Sequence, residues 1–462
     1  MILLAAPCAL LWFAFGLPPQ YDRTYPAALA DKLHRLQTAP GKRVILIGGS
    51  GAAFAVRSEL LEGELPGYAA VNLGLYASLG DEVLLDLAQP HLRPGDIVVF
   101  LPEQNEQTLS SYFGAQVLWQ ALDGQRIPWA ALTPSQRGAM LGALPAFAGS
   151  KARLYFSGKK PLGEGVYARR SLNGYGDMAC AGREGNAMPG GFDANQPISF
   201  DPSLLDDSLA ARLNAFAAAC RQTGASLYYG FGPMNAAAIS EAERERADAF
   251  AASLHTRLAC PVLGAPEEAM LDPGWFFDTN FHLNEAGQIF YTARLAGWLK
   301  TALGDPSPVS ITVPPMPERA EAAVSAGDDR DADCFRYEAR EGGVWIIGLT
   351  EAGAARTALT VPATRDGLPV VGFDAMVFAG NRVLRTLTIG ENIALILDDS
   401  FSGCTALERI ILHSPRPEAI SVGDGLLRGT DAWVQVPAAA FSSFATNYFW
   451  SRHAARLVES AQ

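Results

Sequence analysis

Three short apolar runs, residues 43–49, 69–73 and 96–101, are strand length and show no alternation of apolar and polar positions. That is the pattern of strands buried on both faces. Between the first two, residues 52–61 read as a helix; residues 81–92 read as another, ahead of the turn signal Arg93-Pro-Gly-Asp96. Later come a helix at 202–223, a strand at 226–231, a helix at 240–258, a short strand near 260–263 and a last helix from about 284 to 303. Strands alternating with helices predict an α/β fold built on a parallel, doubly wound sheet. Residues 107–200 break the rhythm. They are rich in Gly, Pro and aromatics and too long for a plain loop, so they read as an insertion over the site.

The two ends differ from this middle. Residues 1–20 carry no charge, and 2–17 are almost wholly apolar. A spanning helix needs about 20 such residues, so this stretch, interrupted by Pro7, is borderline. Neither a basic start nor a small-residue cleavage site marks a secretory signal. The segment is expected to be the end of a membrane anchor or uncleaved signal whose basic start is missing from this chain; the alternative is a buried N-terminal helix. Residues 21–304 form the α/β part. Residues 305–333 hold five Pro, small residues and an Asp/Arg cluster, which is linker composition.

Residues 334–462 contain a repeat. Phe378-Ala-Gly and Phe401-Ser-Gly lie 23 residues apart, as do Leu384 and Leu407, Leu387 and Ile410, and Ile389 and Leu412. Degenerate copies begin at Leu359-Thr-Val-Pro and at Leu427-Arg-Gly with Trp433-Val-Gln-Val. This period is in the range of leucine-rich solenoids, whose units bury their apolar faces only by stacking.

Composition narrows the classes. Of 462 residues, 49% are hydrophobic and 18% charged, with a net charge of -12. Global disorder is excluded. The acidity argues against a general nucleic-acid binder, which needs basic patches, and it is spread over both parts, so it indicates no particular ligand. Six Cys are too sparse for a disulfide scaffold, and no Cys/His spacing suggests a metal site.

Two short motifs carry the candidate chemistry. Gly48-Gly49-Ser50 ends the first strand and opens a helix, at the sheet edge where α/β proteins place ligands. Ser50 could there be a simple N-cap. The dinucleotide loop is a poorer fit, because Phe54 replaces its third Gly and the second strand ends in Asn72 with no acid for a ribose. The second motif is Phe277-Asp-Thr-Asn-Phe-His282-Leu-Asn284, just before the last helix. Of six His, only His282 stands near a carboxylate at a loop-to-helix junction. A nucleophile needs a base and the base an orienting group; Ser50, His282 and Asp278 supply all three. In the insertion, Arg169, Arg170, Asn173 and Asp177 are candidates to bind a polar substrate over the cleft, or else form a surface loop with an Arg–Asp pair. Tyr228, Tyr229 and Phe231 read as packing residues.

Taken together, the blocks Gly-Gly-Ser50, Asn72-Leu-Gly74, Pro102-Glu-Gln-Asn-Glu106 and Asp278–His282, in that order, resemble the SGNH (GDSL-like) hydrolase superfamily over residues 42–303. The resemblance implies a flavodoxin-like sheet and a serine esterase or O-acyltransferase. Ser50 is then the nucleophile, His282 the base and Asp278 its orienting acid. The oxyanion donors are drawn from Ser50, Gly74, Gln104 and Asn105, and no metal or organic cofactor is required. Two departures stand out: the last block is Asp-x-x-x-His instead of Asp-x-x-His, and the third lacks Gly-x-Asn-Asp and puts Glu103 beside the oxyanion.

Residues 359–458, above all Asp399-Ser-Phe-Ser-Gly-Cys-Thr-Ala-Leu-Glu-Arg-Ile-Ile-Leu412, resemble BspA-type leucine-rich repeats, which implies a surface recognition module. The expected substrates are acyl, chiefly acetyl, esters of cell-envelope or extracellular glycans, with alginate-acetylation relatives as the model. The expected place is extracytoplasmic, membrane-anchored or at the cell surface. The competing readings are an inactive SGNH scaffold in a surface protein whose repeats bind a protein or glycan, and a purely structural surface protein.

Overall fold

In the computed structural model, five parallel strands form the first sheet: β1 (Lys42–Ile47), β2 (Tyr68–Asn72), β3 (Ile97–Phe100), β4 (Ser226–Gly230) and β5 (Val262–Leu263). They lie in the order β2-β1-β3-β4-β5. This is the flavodoxin-like doubly wound order. Every residue of β3 is buried, as is all of β1 after Lys42, which is why neither strand alternates in sequence. Val44 pairs with Ile97 and Ile47 with Phe100. The order reverses between β1 and β3.

The structure describes residues 2–460 apart from 106–108, 110–111, 159, 162–165, 189–190, 194–195, 318–328, 341–342, 398, 415–416, 418–419, 424 and 447–449. Glu106 of the third motif and much of the expected linker therefore lie outside the described residues. The chain divides into two compact units: residues 1–185, 198–277 and 281–317 in one, and 186–197, 278–280 and 318–462 in the other. The α/β part falls in the first unit. Two short segments leave it for the second unit, and they hold each other: Asn280 accepts from the Asp193 N–H at 2.9 Å and donates to the Asp193 and Gln196 carbonyls. Asp193 in turn accepts from the Ser421 hydroxyl.

Three expected elements differ. The helix expected at 52–61 is two helices, Ser50–Ala55 and Ser58–Glu64. The break has a cause: the Arg57 N–H donates to Thr292 and the Ser58 N–H to Asp177, so side chains take the donors a continuous helix would use. Gly49, not Ser50, is the N-cap. Among the described residues of 107–200 there are two α-helices, Ala115–Ala121 and Pro134–Ser157, the second started by a reciprocal Thr133–Gln136 capping box with Pro134 behind it.

At the N-terminus a helix, Ile2–Leu11, runs into a π-turn, Trp12–Gly16. Among the described residues no helix is long and apolar enough to cross a membrane. The turn lies against the Pro134–Ser157 helix: Lys151 donates to the Ala14 carbonyl, and Phe13 meets Phe156 edge-on. Leu11, Trp12, Phe15 and Phe156 remain exposed.

In the second unit the 23-residue period becomes parallel pairing. Ala358–Thr360, Thr386–Ile389, Arg409–Leu412, Trp433–Val436 and Leu457–Glu459 form one parallel sheet in that order. Leu359 pairs with Leu387, Leu387 with Ile410, Ile410 with Val434 and Val434 with Leu457, and all five are buried. A second sheet lines up Ser421–Val422, Leu395–Ile396, Leu368–Phe373 and Gly343–Leu349, with Phe335–Arg340 antiparallel at its edge. The repeated Phe-x-Gly is the corner between them. Phe378 and Phe401 stack at 5.1 Å, and Gly380, Gly403 and Gly429 each turn the chain at a φ near +70°, a conformation costly for other residues. Successive corners are joined by the Gly380 N–H to the Ser402 carbonyl and the Gly403 N–H to the Arg428 carbonyl.

Candidate active site

The first unit places its candidate chemistry at the point where the strand order reverses. In doubly wound sheets that crevice, outside the carboxyl ends of the strands, is where ligands bind. After β1, Gly48-Gly49 turns the chain and Ser50 opens the short helix Ser50–Ala55. After β3, Leu101-Pro102 brings in Glu103. His282 arrives from the far end of the unit, in the turn that closes on the helix Glu285–Leu303. That turn is pinned by the Phe277 N–H to the His282 carbonyl at 2.8 Å and by Asn284, which caps the helix through the Gly287 N–H.

Ser50 and His282, 232 residues apart in sequence, meet side chain to side chain. The His282 Nε2 lies 2.8 Å from Ser50 Oγ, and both residues are buried. Phe54 stacks on the imidazole, with ring centres 3.9 Å apart and planes 6° from parallel. The other ring nitrogen, Nδ1, faces the Tyr167 hydroxyl at 3.1 Å. Sequence reasoning passed over Tyr167, although it lies two residues before Arg169. It also passed over Arg183. That side chain is buried, donates to the Leu283 and Met178 carbonyls and to Gln288, and lies 5.5 Å from the Phe54 ring centre. It ties the insertion to the His282 junction. Asp278 is buried as well, in the 278–280 segment that belongs to the second unit.

The oxyanion side differs most from expectation. The Gly74 N–H donates to the Asn72 side chain at 2.9 Å, and the Gln104 amide donates to the Ser199 carbonyl at 3.0 Å. These two of the four expected donors are committed elsewhere. The Asn105 amide points at Glu103, 3.4 Å away. The Glu103 carboxylate itself accepts from the Gly51 N–H at 2.7 Å and stands 3.1 Å from Ser50 Oγ. Gly51 was not among the expected donors, although it follows the nucleophile. Nearby, Asp81 is buried, and its Oδ2 has no hydrogen-bond partner among the described residues. Burial, reinforced by the charge of Glu103, holds the Asp81 carboxyl well above the usual carboxylate range, as expected for an acid taken out of water beside a like charge.

Of the four expected substrate-binding residues, Asp177 and Asn173 are taken up by contacts within the fold. Asp177 is fully buried and accepts from the Ser58 N–H, the Ser58 hydroxyl and the Asn72 amide. Asn173 caps its own turn by accepting from the N–H groups of Tyr175, Gly176 and Asp177. Arg169 forms a two-pronged ion pair with Asp31. With Arg170, Asp22 and Arg23 it lines a surface cavity of about 550 Å³. No described group of three or more His, Cys, Asp or Glu is arranged to hold a metal ion.

No protein-family model matches the chain, and no curated protein does. Among solved structures, the chain is similar to a leucine-rich repeat protein of T. pallidum, at 25% identity and a TM-score of 0.16. It is also similar to a leucine-rich cell surface protein of Faecalibacterium prausnitzii A2-165, at 18% identity and a TM-score of 0.18. Each similarity covers 25% of this chain, and 45% and 34% of the two neighbours, so the chain spans less than half of either.

Proposed function

We propose that the first unit is a serine esterase or O-acyltransferase of SGNH type, acting on acyl esters of cell-envelope or extracellular glycans. One observation carries the reading: a buried Ser50–His282 pair at 2.8 Å, set at the switch point of a doubly wound sheet. In this reading His282 takes the Ser50 proton as Oγ attacks the acyl carbonyl. The carbonyl oxygen, now negative, needs donors that do not have to reorganise; the Gly51 N–H, next to the nucleophile and bound by Glu103 in this structure, would supply one. His282 then protonates the departing sugar oxygen, leaving the acyl group on Ser50. Water or a second hydroxyl, deprotonated by His282, bonds to the acyl carbon as the Ser50 Oγ–carbon bond breaks, and His282 returns the proton to Oγ, giving hydrolysis or transfer. Phe54 fixes the plane of the imidazole. Tyr167 takes or shares the orienting role assigned to Asp278. No cofactor enters any step. We place the protein outside the cytoplasm, attached through the apolar N-terminal segment, with the repeats offered to a glycan or protein partner.

A second reading, an inactive scaffold in a surface binding protein, is favoured by Glu103, which holds Ser50 and the Gly51 N–H together. The test is hydrolysis of short-chain aryl acetates by wild type and Ser50→Ala. Turnover that disappears with the substitution supports the enzyme; no turnover by wild type, with no acyl transfer to a glycan acceptor, supports the scaffold.

A further inference from the structure

We propose that Glu103 is a latch on the nucleophile: it occupies the place of the substrate's carbonyl oxygen and holds the Ser50–His282 pair in a resting state. The inference rests on the serine-hydrolase reading and goes beyond it. Three observations carry it. Glu103 Oε1 accepts from the Gly51 N–H at 2.7 Å, so it sits where an oxyanion would be bound. The same oxygen is 3.1 Å from Ser50 Oγ. The approach also depends on the glycine: a Cβ at position 51 would stand 3.0 Å from Glu103 Cγ and 3.2 Å from Oε1.

The proton count gives the consequence. An ionised carboxylate only accepts, and a hydroxyl has one proton to give. If Ser50 donates to Glu103, the 2.8 Å contact with His282 is satisfied only by a proton on Nε2. In a neutral imidazole Nδ1 then accepts from the Tyr167 hydroxyl. That tautomer cannot take the Ser50 proton, so the pair is at rest. Once the carboxylate is withdrawn, Ser50 turns its proton to Nε2, Nδ1–H turns to the Tyr167 oxygen, and the Gly51 N–H opens to a carbonyl oxygen. Asp81, buried and raised partly by the charge of Glu103, is a second acid close to it.

The test is the rate of modification by a fluorophosphonate probe, in the full chain, for wild type, Glu103→Gln, Glu103→Ala and Ser50→Ala. In the reaction Ser50 Oγ bonds to phosphorus, fluoride leaves and the Ser50 proton passes to His282. An oxyanion donor is worth about 100- to 1000-fold in rate. Glu103→Ala, which empties that place, is therefore expected to label at least about 10-fold faster than wild type, Glu103→Gln, whose amide oxygen can keep both contacts, faster by less, and Ser50→Ala not at all. The isosteric Gln variant guards against a misfolded Ala variant. If wild type labels and both variants label no faster, the latch is overturned while the hydrolase reading stands. If wild type and both variants all fail to label, both fall.

Discussion

Tyr167→Phe isolates the group that orients the base. The substitution removes one hydroxyl, the one 3.1 Å from His282 Nδ1, and leaves the ring that packs against Phe54 and His282. Phe54 still stacks on the imidazole at 3.9 Å, so the plane of the base is kept and the loss is that of one hydrogen bond. A neutral hydrogen bond contributes about 0.5–1.5 kcal/mol net, which converts to a fall of about 2- to 13-fold in rate. The assay is the second-order rate of fluorophosphonate labelling. The expected result is a fall in that range. A Tyr167→Phe protein that labels at the wild-type rate would refute the reasoning. A much larger loss on Asp278→Asn than on Tyr167→Phe would return the role to the acid.

Other consequences concern the scaffold. Asp177→Ala strips the acceptor from the Ser58 N–H and hydroxyl and from Asn72; unpaired buried donors cost about 1–3 kcal/mol each. Thermal unfolding of the first unit should therefore fall by about 6 °C or more, and an unchanged transition would show that the contacts are incidental. Burial brings the Lys32 amine down to about 7, partly offset by Asp177 and Asp31, while an unfolded lysine titrates near about 10.4. Between those values the unfolded chain holds a proton the folded one lacks, so stability rises with pH by up to about 1.4 kcal/mol per unit. The urea midpoint of wild type should climb from pH 7 to 9 more steeply than that of Lys32→Met; equal slopes would contradict this. Gly403→Ala forces a side chain into a φ near +70° and should cost the repeat unit about 1–2 kcal/mol, read as a lower melting temperature of that unit, with no shift as the contrary result.

The sheet was legible because its strands are buried on both faces: unalternating runs at 43–49, 69–73 and 96–101 became β1, β2 and β3 with ends moved by one or two residues. The repeat was legible because a corner that needs Phe and a left-handed Gly must recur wherever the solenoid turns. The helix Pro134–Ser157 was hidden, since its small residues Gly138, Ala139, Gly142 and Ala143 and the internal Pro145 blur any apolar stripe. At the site, Ser50 and His282 announced themselves through local motifs. Tyr167 did not, because its 3.1 Å contact joins residues 115 apart through a long insertion. Gly74 misled for the opposite reason: its position is right for a donor, but the side chain two residues earlier takes its N–H. Asp177 misled because a buried hub and a substrate ligand use the same residue type.

The central claim is that Ser50 is a nucleophile activated by His282. Its most direct test is intact-mass and peptide analysis of the full chain after exposure to a fluorophosphonate, with wild type, Glu103→Ala, Ser50→Ala and His282→Ala compared. One adduct on the peptide carrying Ser50, faster in Glu103→Ala and absent from both Ser50→Ala and His282→Ala, is the predicted result. An adduct that persists in Ser50→Ala, or none in wild type and Glu103→Ala alike, would contradict it.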